Sequence, residues 1–331
     1  MVKTGNLLPH IATLDNLYLA YWKAKRGKEH KEEVFAFGQN LKANLLTLQT
    51  DLLNGAVEIG NYHYFTIYDP KERLICASSF RERVLQHALM NICHHTFEKF
   101  QINDSYACRK NKGTYAALDK AKVFSSKYRF FAKLDVRKYF ETIDHQLLKD
   151  ALCRLFKDKD LLAIFDQIIG SYENVPQKGI PIGNLSSQYF ANHFLGIADH
   201  FIKEQLNAKA YLRYMDDMVI WDNDLATLNA IVKEFENFLG KNLLCPMKPS
   251  VINAIENGLP FLGYVVYSHK VNLAKRSRTR FVRKLKHLDA LLAQHQIGES
   301  VYQKKILPLL AFVQKANSFL FQKKVILRQG K

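Results

Sequence analysis

Residues 210–221 read Ala-Tyr-Leu-Arg-Tyr-Met-Asp-Asp-Met-Val-Ile-Trp, with apolar runs (Ala210-Tyr211-Leu212 and Met218-Val219-Ile220-Trp221) on either side of Tyr214-Met215-Asp216-Asp217. The runs predict a pair of strands, so the two carboxylates are expected at the tip of a hairpin. Asp is also a favoured turn residue, and an isolated Asp-Asp pair is explained by the turn alone. A second acid in a matching setting changes that reading. Asp135 follows another apolar run, Phe130-Phe131-Ala132-Lys133-Leu134. It is expected to be exposed at the strand end, because burying a carboxylate unpaired is costly. Two strand-end carboxylates from separate strands can share a pair of Mg²⁺ ions about 3.5–4 Å apart, one activating an attacking hydroxyl and one steadying a leaving phosphate.

Outward from these strands the periodicity is mixed. Residues 11–60 read as helices, with Leu41, Leu45, Leu48 and Leu52 at helical spacing and Asn54-Gly55 as a turn. Alternation from Tyr62 to Ile75, interrupted by Asp69-Pro70, predicts a β-hairpin, and residues 80–100 return to helix. Asn111-Lys112-Gly113 is a loop before a helix starting at Thr114. The strand at 130–136 feeds a helix-like segment ending near Ile143-Asp144-His145. One helix is expected over 147–169, a Pro/Gly loop over 176–183, and a long helix from Ser186 to about Leu206. After residue 222 come a helix over 225–239, a hairpin over 261–271 and a basic helical tail. This order predicts an α+β fold with a small antiparallel sheet.

The 331 residues carry 48 Lys or Arg against 31 Asp or Glu, a formal charge of +17, and are 48% hydrophobic and 12% aromatic. Such a chain is globular rather than disordered and is long enough for two or three packed lobes. Its basicity runs along the whole length, which favours nucleic acid over an acidic membrane surface as partner. The apolar run 306–313 is broken by Pro308 and too short to span a bilayer, and the N-terminus has no secretory pattern, so a cytoplasmic protein is expected. The five cysteines are odd in number and never stand as Cys-x-x-Cys, which suggests neither a disulfide frame nor a zinc ribbon. Cys93-His94-His95 sits among Val84, Leu85, Ala88, Leu89, Ile92 and Phe97, a helical pattern that makes packing a better account than metal binding. Residues 275–286 hold seven Lys or Arg and no acid, while Phe281, Leu285, Leu288 and Leu292 form one apolar stripe. A helix with one basic face suits gripping a duplex backbone.

With these segments in place, the chain resembles reverse transcriptases along nearly its whole length. Residues 131–140 are similar to their motif A, 179–195 to motif B and Tyr214-Met215-Asp216-Asp217 to motif C. Residues 68–75 and 105–109 resemble the finger motifs, and 245–248 and 258–264 resemble motifs D and E. Ordered motifs at family-like spacing are specific where any single one is weak. The resemblance implies a right-hand polymerase fold, with an N-terminal extension and fingers over 1–130, a palm over 131–270 with a finger insertion around 145–178, and a thumb over 271–331. It implies an RNA-directed DNA polymerase working on template RNA, primer, cDNA and dNTPs, with two Mg²⁺ ions at Asp135, Val136, Asp216 and Asp217. Lys71 and Arg73 match residues that neutralise the incoming triphosphate, though they also fit a solvated strand face. Phe140 matches the steric gate against a ribose 2′-hydroxyl and could equally be core. Lys248 matches the motif D lysine that protonates the leaving pyrophosphate. Arg109, Lys275, Arg276, Arg278, Arg280, Arg283 and Lys284 would contact nucleic acid.

Motif B departs from the commoner Pro-Gln-Gly, since this chain has Pro181-Ile182-Gly183-Asn184-Leu185-Ser186-Ser187-Gln188. That combination resembles the reverse transcriptases of diversity-generating retroelements, as do the helical N-terminal extension with Gly27-Lys28 and the short distance from thumb to chain end. Ile182 and Gly183 would then meet the incoming dNTP, with Ile182 where a polar side chain otherwise checks the nascent pair. Losing that group weakens discrimination by a few kcal/mol at most, in keeping with error-prone copying of template adenines; Ile182 could instead simply pack. The same resemblance implies a small basic accessory protein. Two other readings remain: a retron or group II intron-like reverse transcriptase, and a non-catalytic nucleic-acid-binding module, which the intact Asp135, Asp216 and Asp217 oppose.

Overall fold

The structure, a computed structural model, describes residues 3–68 and 72–327. Helices α1 (Leu8–Ile11), α2 (Leu14–Lys25), α3 (Glu32–Gln39) and α4 (Leu41–Asn54) precede a hairpin of β1 (Tyr62–Ile67) and β2 (Arg73–Ser78). Then follow α5 (Phe80–Phe100), α6 (Thr114–Lys127), β3 (Phe130–Asp135), α7 (Tyr139–Thr142), α8 (His145–Leu155), α9 (Lys159–Gly170) and α10 (Leu185–His200). Strands β4 (Ala210–Tyr214) and β5 (Asp217–Asp222), α11 (Leu225–Asn242), β6 (Val251–Ala254), β7 (Leu259–Phe261), β8 (Tyr264–Val266) and β9 (Val271–Leu273) lead to α12 (Lys275–Ala293), α13 (Glu299–Gln314) and α14 (Phe319–Leu327). The α+β class read from the sequence holds.

Two compact units divide the chain. The first comprises residues 1–108, 135–207 and 234–249. In it α2 packs on α5, and the buried Asn16 amide donates to the Ala88 carbonyl at 3.1 Å. Local signals start and stop the helices: Ser79 caps α5 by accepting from Glu82 N at 3.2 Å, and Gly55 closes α4 at φ +67, where a side chain would be strained. Cys93 is buried on α5, and burial raises its thiol pKa, while His94 Nδ1 lies 3.0 Å from Tyr189 Oη, so this triplet packs as the helical pattern suggested.

The single helix expected over 147–169 is instead two, α8 and α9. The break has a tertiary cause: residue 4 bonds along the chain at the break, with Thr4 N donating to Leu155 O and Lys157 N to Thr4 O, both at 2.8 Å. Asp158 then caps α9 through Leu161 N at 3.2 Å while its other oxygen accepts from Leu7 N and Leu8 N at 2.8 and 3.1 Å. The long helix expected to reach Leu206 is α10 followed by a π-turn over Phe201–Gln205.

The second unit comprises residues 109–134, 208–233 and 250–331. Its main sheet has the order β4-β5-β3-β6, with β4 and β5 antiparallel from Ala210↔Trp221 to Tyr214↔Asp217, and β3 and β6 antiparallel from Phe130↔Ala254 to Lys133↔Val251. Helix α6 covers it, with Phe124 against Trp221 and the Trp221 indole N–H donating to Ser125 Oγ at 3.2 Å. Instead of one hairpin over 261–271, β7, β8 and β9 form a three-stranded antiparallel sheet. No helix among the described residues is long and apolar enough to cross a membrane.

Candidate active site

The Asp-Asp hairpin is tighter than its sequence suggested. Tyr214 pairs with Asp217, leaving only Met215 and Asp216 in the turn, and Met215 takes φ +55, a conformation L side chains rarely adopt. Two groups hold this turn. The guanidinium of Arg213, fully buried, donates to Met215 O at 3.2 Å, and Tyr214 Oη lies 3.1 Å from Thr114 Oγ1. Asp217 opens β5 and its Oδ1 stands 2.9 Å from the Lys133 ammonium, which also donates to Pro260 O at 3.1 Å. Lys133 lies on β3, the neighbour of β5 in the sheet. Lys133 and Arg213 were not singled out from the sequence. Their signal was there, a lone cation inside each of two otherwise apolar strand runs.

Asp135 ends β3 half-buried, whereas the sequence reading expected it exposed. The physical reason is a partner strand-like segment: Lys248 N donates to Asp135 O at 3.0 Å, Arg137 N donates to Pro246 O at 2.7 Å, and Val136 pairs with Met247. This brings the Lys248 ammonium onto Asp135 Oδ2 and so offsets the cost of covering the carboxylate. Val136 is fully buried. Asp135 Oδ1 is buried and has no hydrogen-bond partner among the described residues. Among the described residues no group of three or more His, Cys, Asp or Glu is gathered to hold a metal. Mg²⁺ needs no such cage: it is usually held by one or two carboxylates, water and substrate phosphates, and an unpartnered carboxylate oxygen is a donor suited to it. The residues therefore fit the ion.

Of the triphosphate residues, Lys71 lies outside the described residues, and Arg73 is exposed at the start of β2. Phe140 is half-buried on α7, its ring 5.8 Å from that of Tyr139, which is buried and donates to Ala191 O at 2.5 Å. Phe140 O accepts from Ile180 N at 2.9 Å, and Ile182 O accepts from Cys76 N at 2.8 Å. The loop carrying Ile182 and Gly183 is thus joined by backbone bonds to Phe140 on one side and to the strand of Arg73 on the other. Ile182 itself is half-buried. Gly183 has φ +119, and a Cβ there would stand 2.9 Å from Ile75 Cγ2, so only glycine fits this close approach.

On α12, Phe281, Leu285 and Leu288 are buried; Lys275, Arg276, Arg278 and Arg283 are exposed, and Arg280 and Lys284 half-buried. The helix has no acid in its first turn, where the backbone dipole already favours negative charge. Arg109 is half-buried.

The family model described as "Reverse transcriptase (RNA-dependent DNA polymerase)" matches residues 69–266. Two putative intron proteins of Saccharomyces cerevisiae are similar to the chain: COX1/OXI3 intron 1 protein at 24% identity, covering 61% of this chain and 26% of that protein, and COX1/OXI3 intron 2 protein at 22%, covering 82% and 36%. Protein YkfC of Escherichia coli is 23% identical, covering 70% of this chain and 73% of its own length. The chain therefore spans about a quarter to a third of the yeast relatives. Among solved structures, apo telomerase from Candida tropicalis superposes with a TM-score of 0.51 at 12% identity, covering 69% of this chain and 52% of that one. A form truncated of its C-terminal domain gives 0.50 at 13%, covering 65% and 55%. At that identity the likeness concerns the fold.

Proposed function

Because the chain belongs to the reverse transcriptase family, we propose that it copies RNA into DNA, and that it does so as the polymerase of a diversity-generating retroelement. The observation that carries the polymerase reading is Asp135 Oδ1, a buried carboxylate oxygen without a partner among the described residues at the end of a sheet strand. Asp135, Val136, Asp216 and Asp217 would hold two Mg²⁺ ions, which when bound supply activation of the primer hydroxyl and charge stabilisation at the transferred phosphate. Lys248, already on Asp135 and half-exposed, is suited to give a proton to the departing pyrophosphate. Arg73, with Lys71, would balance the triphosphate charge, and Phe140 would stand against the sugar. Fingers, palm and thumb follow the divisions 1–130, 131–270 and 271–331, with α12 of the thumb on the phosphate backbone of the template duplex. Replacing Asp216 by Ala should abolish Mg²⁺-dependent cDNA synthesis on a primed RNA while RNA binding and the thermal midpoint stay as in the wild type. Retained synthesis would sink the metal assignment.

The subtype rests on Ile182, an apolar side chain in the loop between α9 and α10 where a polar one could test the base pair. A small basic accessory protein and adenine-directed errors belong to that reading. The likeness to intron proteins is equally compatible with a second one, a retron or group II intron-like reverse transcriptase without base-selective errors. Sequencing cDNA made from one template separates them. Errors concentrated opposite template adenine, reduced there more than elsewhere by Ile182→Gln, are the expected result; a flat error spectrum would leave the intron-type reading standing.

A further inference from the structure

The loop bearing Ile182 leads directly into α10, and the start of that helix lacks its ordinary cap. Asn184 occupies the N-cap position yet makes no side-chain cap bond, and its Oδ1 and Nδ2, buried at 1% exposure, have no partner within the described residues. The hydroxyls of Ser186 and Ser187 are buried and likewise without a partner among the described residues. A helix start leaves amide N–H groups that something must satisfy. Here Leu185 N donates to Gln86 Oε1 at 2.9 Å, so a residue 99 positions earlier, on α5, does the capping.

Gln86 is itself held in one orientation. It is 1% exposed, and its Nε2 donates to Glu82 Oε1 at 3.1 Å. Glu82, 2% exposed, receives Gly60 N at its other oxygen at 3.2 Å. The donors and acceptors alternate without ambiguity from Gly60 through Glu82 and Gln86 to Leu185, and turning the Gln86 amide over would set its nitrogen against Leu185 N and its oxygen against the Glu82 carboxylate. The same loop is tied at its other end by Cys76 N on Ile182 O. Burial and satisfied geometry make this relay rigid, and no part of the proposed chemistry uses it.

We infer that Glu82 and Gln86 are positioning residues for base discrimination: by capping α10 from α5 they fix the depth at which Ile182 meets the nascent pair. The inference rests on the polymerase reading above. It is tested by sequencing cDNA made on a primed RNA of mixed sequence with all four dNTPs. Four proteins are compared: the wild type, Gln86→Met, the milder Glu82→Gln, and the exchange Glu82→Gln with Gln86→Glu. Thermal midpoint, kcat and KM for correct insertion are measured for each. The exchange keeps every bond in the relay, because Gln at 82 can accept from Gly60 N and donate to Glu at 86, whose free oxygen accepts from Leu185 N. Gln86→Met should raise the error frequency about fivefold, the effect of one lost hydrogen bond, at all four template bases, with kcat for correct insertion within about twofold of the wild type. Glu82→Gln should raise it less, and the exchange should bring it back. Unchanged errors in both single variants, a fall in kcat that matches the rise in errors, or an exchange as inaccurate as Gln86→Met would each overturn the inference. If Gln86→Met does not fold, the contrast between Glu82→Gln and the exchange decides alone. A wild type that makes no cDNA removes the polymerase reading and the inference together, whereas accurate synthesis by every variant removes only the inference.

Discussion

Replacing Gly183 by Ala perturbs the loop at the point where its geometry leaves least room. Two costs can be assigned separately. At φ +119 a residue with a Cβ is strained by about 1–3 kcal/mol. The new methyl would also stand 2.9 Å from Ile75 Cγ2 and 3.2 Å from Cys76 O, well inside the usual contact of about 3.5–4.0 Å. Overpacking of this kind costs about 1–3 kcal/mol. If the loop swings away to relieve both, it gives up the bond from Cys76 N to Ile182 O, about 1 kcal/mol, and uncovers the apolar edge of Ile75. If the loop stays in place the two costs sum to about 2–6 kcal/mol, and the swing holds the loss to the lower part of that range, still a large share of a typical domain stability of about 5–15 kcal/mol. Urea unfolding followed by circular dichroism measures it. A double-mutant cycle with Ile75→Ala, which removes the Cγ2 in question, should recover the steric part and leave the backbone part, giving a coupling of about 1 kcal/mol or more. A Gly183→Ala protein within about 0.5 kcal/mol of wild type, or the absence of coupling to Ile75, would refute the close-approach argument.

Three further outcomes are expected. Asp217→Ala should retain a measurable fraction of the cDNA synthesis that Asp216→Ala loses, because Asp217 Oδ1 is already engaged by Lys133 at 2.9 Å; equal loss in steady-state assays would count against that distinction. Neutralising Lys275, Arg276, Arg278 and Arg280 together should lower the slope of log affinity for duplex against log salt by up to about 3–4, near one counterion per contact; an unchanged slope would move the contact elsewhere. Burial, helped by Lys23 and Lys28, lowers the His87 pKa to about 4, so the unfolded chain takes up this proton near pH 6.5 and the folded one only near 4. The stability concerned is present above about pH 6.5 and lost as pH falls towards 4, by about 1–2 kcal/mol after allowing for partial solvent exposure. His87→Gln should flatten that part of the urea-midpoint profile, and an identical profile would exclude His87 as its source.

Much of the candidate site was legible because its signals are local. Apolar runs on both sides of Asp216-Asp217 define a hairpin whatever else the chain does, and the basic face and apolar stripe of residues 275–286 are visible at helical spacing. Asp135 was found the same way, but its half-buried state was not, since the group that permits it, Lys248, lies 113 residues further on. Lys133 and Arg213 were passed over for a related reason. A cation in an apolar strand is costly until a partner is known, and their partners, Asp217 Oδ1 and Met215 O, are only supplied by the strand pairing and the turn.

The sequence by itself determined most element types, the hairpin that carries Asp216 and Asp217 and the charge that calls for a polyanion, since propensity, side-chain alternation and composition act within a few residues. Tertiary structure decided the partners. Asp158 starts α9 and also holds the amides of Leu7 and Leu8, 151 and 150 residues away, beside the Thr4 backbone that ends α8. Gln86 caps α10 in place of Asn184 across a separation of 99 residues. Each is a choice among polar groups of nearly equal local merit, and burial settles it: once the core has closed, an unpaired donor or acceptor costs more than any local preference can offset.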